Sequence, residues 1–546
     1  MRKLVFLIAG LLIAAFAQHG LAQSPVTTTP ATDTARTVEI INADRLSGKK
    51  IDSTNELTIL AGHVVVKDNK TLFYADSAVY NKKENIIEAF GNVHINDSDS
   101  IDTRSQYLIY YGDKKQAVLK KKVSMTDGKG VLTTDELLYD TQLKMGTYTN
   151  GGRVVNGKTI LTSKEATYYG DLKDVYFKNN VKLKDPSYDL TTDSLLYNTG
   201  TQIATFITKT YIVDSNKSTI VTSDGYYNLK NKTARFGKRA SIQDKALTIT
   251  GEDIAIDDNT GMFEASGNAV LIDTSQGVSV LANNIKASRK TNTFIATQHP
   301  LMIIRQDQDS IYVTSDTLYA GRLSDLKSHS DSTTKKDTVK NVTVVNSTDT
   351  ANRNRYFQAF HHVRIFSDSL QAISDSLFYS GRDSIFQLFH DPVVWATNKQ
   401  VTGDTIYLFT KNKKPERLYV FENGMLVDKS GEDLYNQIKG NTLNGYFTDG
   451  DINFMRAKGS AESIYYAKDE GNALVGMNAT NADMIDMFFA NKALKKVVFR
   501  NDVTGTTYPI KQIPSDKKTL RNFKWLENKR PKSKFELFEE VSVSKQ

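Results

Sequence analysis

The side chains best able to do chemistry in this chain recur on a fixed spacing. Acidic or polar anchors fall at Asp76, Arg104, Asp135, Lys164, Asp193, Asp224, Glu252, Asn284 and Asp316, eight steps with a mean period of 30 residues. Paired carboxylates could serve as general acid and base, which requires two of them held at a set separation. Arg104, Lys164 and Asn284 stand at the same phase as the aspartates, so the position does not require a carboxylate and carries no catalytic role. Other constellations are equally weak. His361 and His362 are adjacent in a strand-like word, AFHHVRIF, and neighbours in a strand face opposite ways, which makes joint metal ligation awkward. The run Asp127-Gly128-Lys129-Gly130 lacks the length and the following helix of a phosphate loop and reads as a hairpin turn. The chain has no cysteine, which excludes a thiol nucleophile, a disulfide framework and lipid attachment through cysteine. The sequence thus predicts no enzyme, no cofactor and no metal.

What surrounds the anchors is more informative. Three residues before and three after them lie apolar or aromatic pairs: Phe73/Val79, Leu132/Leu138, Leu190/Leu196, Val221/Tyr227 and Val313/Tyr319. In a strand both members share the face opposite the anchor, so the anchor meets water and the flanks point inward. Half a period away lies a second word, Gly91-Asn92-Val93-His94-Ile95, with relatives at Gly62, Gly152 and Gly267. The inward-facing candidates for binding lipid are therefore Val64, Val66, Phe73, Val79, Val93, Ile95, Leu132, Leu138, Leu190, Leu196, Val221 and Tyr227. If fully enclosed they are simply core, since burying each contributes roughly 1.5 to 3 kcal/mol without any ligand. If the sheets part along one edge, the same lining would shelter acyl chains, at about 8 kcal/mol for ten methylenes.

The elements that must position these residues are strands. Val64-Val65-Val66-Lys67 and Val93-His94-Ile95-Asn96 alternate, turn clusters of Asn, Asp and Gly separate such runs, and only nine prolines occur in 546 residues. A thirty-residue unit of two strands and two turns predicts stacked copies in an elongated, all-β chain. Arg2-Lys3 followed by the apolar run Leu4 to Phe16 and small residues has the layout of a secretory signal, with cleavage after Ala17 or Ala22. The run is shorter than the ~20 residues that cross a bilayer. The expected organisation is a signal peptide at 1–22, a flexible tether at 23–37, a repeat lobe at 38–323, a polar insertion at 324–355, a second lobe at 356–515, and a basic tail at 516–546. The tail is either a solvated terminus or a docking segment for a membrane surface or partner. Net charge is +8, or +6 once Arg2 and Lys3 are removed. The basic residues are not clustered across the repeats as nucleic acid would require, so no nucleic-acid partner is expected.

The segment GHVVVKDNKTLFYADSAVYNKKENIIEAFGNVHI, from Gly62 to Ile95, resembles the LptA/OstA family of periplasmic lipopolysaccharide-transport proteins. The resemblance is closest from Val38 to about residue 320 and returns, more weakly, between Gly440 and Val503. It implies an open β-jellyroll, taco-shaped and here arranged as two stacked lobes, that holds the acyl chains of lipopolysaccharide. It further implies a periplasmic location and a bridge between inner and outer membranes. Partners would be lipopolysaccharide, the other transport proteins through edge strands, and further copies of the chain head to tail. The competing expectation is a parallel β-helix, either an exported adhesin or a polysaccharide-acting protein. No sustained set of ten-residue, lipid-facing strands follows residue 355, so a transmembrane barrel is not expected.

Overall fold

The computed structural model describes residues 38–538, apart from 54–55, 98–100, 306–309, 328–353, 412–413, 449–450, 470, 472 and 491–492. The expected signal and tether, and most of the polar insertion, lie outside the described residues. Most of the described chain is antiparallel strand, with one short α-helix at Leu323–Lys327 and four 3-10 turns after residue 509. Antiparallel pairing removes the parallel β-helix from consideration.

The repeating element is a long strand used twice. Glu56–Asp68 pairs with Thr71–Asn81 through Leu57↔Asn81 to Ala61↔Ser77, skips, and resumes at Val64↔Ala75. The same interruption recurs between Tyr74 and Ser77, Phe90 and Val93, Lys120 and Val123, and Lys178 and Val181. At each interruption two successive residues take positive φ: Gly91 and Asn92, Lys121 and Lys122, Asn179 and Asn180, His361 and His362. These bulges bend each strand from one sheet into a second, facing sheet, as extra residues in a ladder do. We call the line of bulges the spine. Sheet I contains the Leu57–Asn81 side of every hairpin and sheet II the Val64–Thr71 side.

The anchors lie on this spine. The backbone N–H of Asp44 donates to the Gly62 carbonyl at 2.9 Å, that of Glu252 to Gly267 at 3.0 Å, and that of Asp316 to His361 at 3.0 Å. The Asp76 carboxylate accepts from the Asn92 amide at 3.0 Å, and Asp404 does the same from Asn423 at 3.1 Å. The water-facing anchor is thus a corner fastening.

Bending at the anchor also shifts the alternation by one residue, which corrects the expected inward set. Along Thr71–Asn81 the inward residues are Phe73 and Ala75, then Ala78 and Tyr80, all in the core, while Val79 lies on the outer face. Leu138 is 43% exposed, between core residues Leu137 and Tyr139. Leu196 and Val221 are likewise only half-buried, beside the buried pairs Leu195/Tyr197 and Ile220/Thr222. Val64, Val66, Phe73, Val93, Ile95, Leu132, Leu190 and Tyr227 do point into the core. The rule that three before and three after share a face holds only for a strand that stays in one sheet.

No break in strand pairing divides two stacked lobes among the described residues. Thr317–Arg322 pairs with Arg355–Phe366 across the polar insertion, and one hydrophobic core runs from Val38 to Phe489.

Candidate functional site

Two sheets hinged at a spine leave a mouth on the opposite side, where the hairpin turns of sheet I and sheet II form facing rims. An open taco would expose the core there. Instead the rims are stitched together. The Tyr110 hydroxyl donates to Asp68 at 2.5 Å and Tyr139 to Asp97 at 2.9 Å. Tyr168 donates to Asp127 at 3.1 Å. Lys115 adds an ion pair to Asp68 at 2.6 Å. In each case the tyrosine stands on the rim of sheet I and the aspartate ends or directly follows a strand of sheet II, about forty residues earlier. Farther along, Tyr188 bonds Asp258, Arg289 meets Asp214 at 3.2 Å and Arg355 meets Asp273 at 3.5 Å. The expected open edge is therefore closed from Asp68 to Arg355. The physical reason is that aspartates at the strand ends find partners across the gap, which satisfies groups that closure would otherwise bury alone.

Asp127 shows the chemistry of one stitch. Its turn, read from sequence as a simple hairpin, uses one carboxylate oxygen to accept from the N–H groups of Lys129 at 2.8 Å and Gly130 at 2.7 Å. The other oxygen accepts from the Thr199 hydroxyl at 2.7 Å as well as from Tyr168. Burial alone would raise the carboxyl pKa, but the bonds from Thr199, Gly130, Lys129 and Tyr168 outweigh it and hold the pKa below the ordinary value. The tyrosines move the other way. Burial, then the hydrogen bond to Asp68, pushes the Tyr110 phenol far up, and burial followed by the Asp97 charge does the same for Tyr139.

The series falters at its fourth member. Tyr197 continues the tyrosine spacing, but Asn156 stands where an aspartate is due. Asn156 donates to the Thr199 carbonyl at 2.8 Å and accepts from Gln202 at 3.3 Å, and Thr159 donates to Asp185 at 2.7 Å. Among the described residues the buried Tyr197 hydroxyl has no hydrogen-bond partner.

Cavities follow the rims. Small ones, of about 10 and 30 Å³, lie beside Asp127 and Tyr168 and beside Asp244 and Arg289. A larger one, of about 60 Å³, opens past the last of these stitches, between Ile365, Leu370 and Val394 of sheet II and Phe386, Leu388 and Leu408 of sheet I. Its lining is apolar apart from Ser367, Ser369 and Thr410.

His361 and His362 sit on the spine, not in a plain strand, and each has its own carboxylate: Asp375 at 3.1 Å and Asp316 at 2.9 Å. Hydrogen bonding to Asp375, followed by its charge, raises the His361 pKa above 6.5. Among the described residues, Glu39–Asn42 and Arg45–Lys50 each pair on one side only, with Glu56–Asp68, and Ala493–Arg500 and Thr504–Pro509 each pair on one side only, with Leu474–Ala490.

The stitches escaped the sequence reading although a signal was present: Tyr110, Tyr139, Tyr168 and Tyr197 are evenly spaced by 29 residues. The anchor aspartates, at nearly the same period, are the more conspicuous signal.

Residues 35–193 and 188–252 match the family model described as OstA-like protein. No curated protein matches the chain. Among solved structures, the chain is similar to LptH of Pseudomonas aeruginosa, described as the LptA homologous periplasmic component of a lipopolysaccharide transport device. That match has 8% identity and a TM-score of 0.19, and it covers 26% of this chain and 81% of the other.

Proposed function

Because this chain belongs to the LptA/OstA family through its OstA-like region, residues 35–252, we propose that it is a non-enzymatic carrier of lipopolysaccharide between the inner and outer membranes. The observation that carries this reading is the nature of the closure. Both sheets are continuous backbone ladders, whereas the rims meet through side chains such as Tyr139 and Asp97. Parting the rims would expose the core lined by Val64, Val66, Phe73, Val93, Ile95, Leu132, Leu190 and Tyr227 without breaking a strand pair. Each stitch broken costs about 1 to 3 kcal/mol, and covering ten methylenes of an acyl chain returns about 8 kcal/mol. A closed resting state is then compatible with a lipid conduit. The half-paired strands at both ends offer edges to neighbouring transport proteins or to further copies of the chain, by strand addition. In the same reading the protein works in the periplasm after removal of residues 1–22. No helix among the described residues is long and apolar enough to cross a membrane.

The test is photocrosslinking in cells. A photoreactive residue at Phe73 or Leu190 should capture lipopolysaccharide, while one at Asp76 or Leu138, on the outer face, should not. Capture confined to the outer positions would refute an interior conduit.

A further inference from the structure

Residues 510–538 do not trail into solvent. They double back along the rim of sheet II, crossing strands in reverse order of sequence. A row of buried glutamines pins them there: Gln437 donates to the Lys518 carbonyl at 2.9 Å and accepts from the Leu520 N–H at 2.8 Å. Gln400 does the same with Lys524, at 2.8 Å, and Leu526, at 2.7 Å. Gln371 accepts from the Arg530 guanidinium at 2.8 Å, and Arg530 also reaches the Thr397 carbonyl at 2.7 Å. Phe523 and Trp525 pack on Tyr435, and Lys534 lies over Tyr312. The amides of Gln437 and Gln400 read the strap's backbone and that of Gln371 holds its Arg530 side chain, which together fix the strap in one register.

The strap carries most of the molecule's charge. Residues 511–538 contain nine Lys and Arg against three Asp and Glu, a surplus of six within a chain total of +8. Lys517, Lys518, Arg521, Lys524, Lys529 and Lys532 are exposed along it. Its position matters as much as its charge. Gln371, where Arg530 docks, adjoins the Ser367–Leu370 turn, and its own amide donates to the Ser367 carbonyl at 2.6 Å. Ser367, Ser369 and Leu370 line the 60 Å³ apolar cavity. A cationic lip and an apolar opening thus share one edge of the mouth, just beyond the stitched stretch.

We propose that this edge is the loading site for a phosphate-bearing acyl lipid, with a chain end entering between Leu370 and Leu408 while its phosphates rest on the strap lysines near Lys529 and Lys532. The assignment rests on the conduit reading above and adds the place and the polarity of entry. Charge complementarity selects the occupant: a neutral lipid would gain nothing from the strap, and a free phosphate would gain nothing from the cavity.

The experiment measures binding of fluorescent lipopolysaccharide, and of the same lipid after removal of its phosphates, to the full mature chain and to a Lys529→Glu/Lys532→Glu variant. Both lysines are exposed and neither side chain is among the described contacts that hold the strap, so the variant should keep the wild-type melting temperature. The variant should bind the phosphorylated lipid about tenfold more weakly or worse, with the gap closing as salt rises, and should bind the dephosphorylated lipid as the wild type does. Inorganic phosphate at millimolar concentration should compete poorly. Equal binding of the phosphorylated lipid by both proteins would overturn the loading site yet leave the conduit standing. Efficient displacement by inorganic phosphate would also overturn it, because the cavity would then contribute nothing. Absence of lipid binding by the wild type, together with absence of crosslinks from Phe73, would overturn the conduit itself.

Discussion

The Tyr139 hydroxyl and the Asp97 carboxylate, 2.9 Å apart, join the two rims of the mouth across 42 residues of sequence. Both groups are buried, and Asp97 also accepts from the Thr71 hydroxyl at 2.9 Å. Tyr139→Phe removes one donor and leaves the carboxylate with another. The expected cost is about 1 to 2 kcal/mol, read as a lower urea midpoint at unchanged slope. A drop in the slope would instead mean that the native state had loosened more broadly.

Tyr197 supplies the contrast. Its hydroxyl is buried at the equivalent place but unpaired, so Tyr197→Phe removes a polar group that already pays its desolvation with no return. The variant should be as stable as the wild type or more so by up to about 1 kcal/mol. Destabilisation comparable to that of Tyr139→Phe would show that the fourth stitch is made after all.

These two tyrosines mark how far the sequence could be read. Strand content, the thirty-residue unit, and the water-facing position of Asp76 follow from local alternation and turn residues, which one sequence displays directly. Closure does not, because it depends on pairs such as Tyr110 and Asp68 that meet only once two sheets face each other. The side assigned to Leu138 failed for a related reason: alternation is a property of one strand in one sheet, and the bulge at Lys121 and Lys122 shifts the phase midway. The strap was legible as charge and not as position. Nothing in Lys517 to Lys534 announces that Gln371, Gln400 and Gln437, spaced irregularly along the chain, will hold it.

Acid should loosen the stitch at Asp127. The Asp127 carboxyl has a folded pKa below the ordinary 3.8, so its contribution is fully present above that value and is lost as pH falls through the folded pKa. In denaturant titrations between pH 6 and pH 2, wild type and Asp127→Asn should differ most at the upper end and converge at the lower. A difference that persists unchanged to pH 2 would show that the charge of Asp127 is irrelevant to its turn and its bond with Tyr168.

The spine should respond with the opposite sign. Hydrogen bonding to Asp375 raises the His361 pKa above 6.5, so the stabilisation it gives is fully present below 6.5 and disappears as pH rises through the folded pKa. An NMR titration of the His361 ring should give a midpoint above 6.5 that falls back in Asp375→Asn. A midpoint at or below 6.5 in the wild type would remove the ion pair at this corner.

Corner geometry can be separated from corner chemistry at Gly91. Its φ is +69°, and a Cβ placed there would come within 2.3 Å of the Asp76 Oδ2. Gly91→Ala should therefore carry two costs, the left-handed backbone and the collision, together more than about 1 kcal/mol. Gly151 has φ +96° with nothing within 4 Å of its Cβ, so Gly151→Ala carries the backbone cost alone. Asp76→Ala loses the carboxylate that accepts from Asn92 at 3.0 Å, but it also clears the space beside Gly91. In a double-mutant cycle, Gly91→Ala should therefore cost less in the Asp76→Ala background than in the wild type, by the size of the collision. Strict additivity of the two substitutions would mean that Asp76 moves aside freely, and that the anchor does not fix the bend on which both sheets depend.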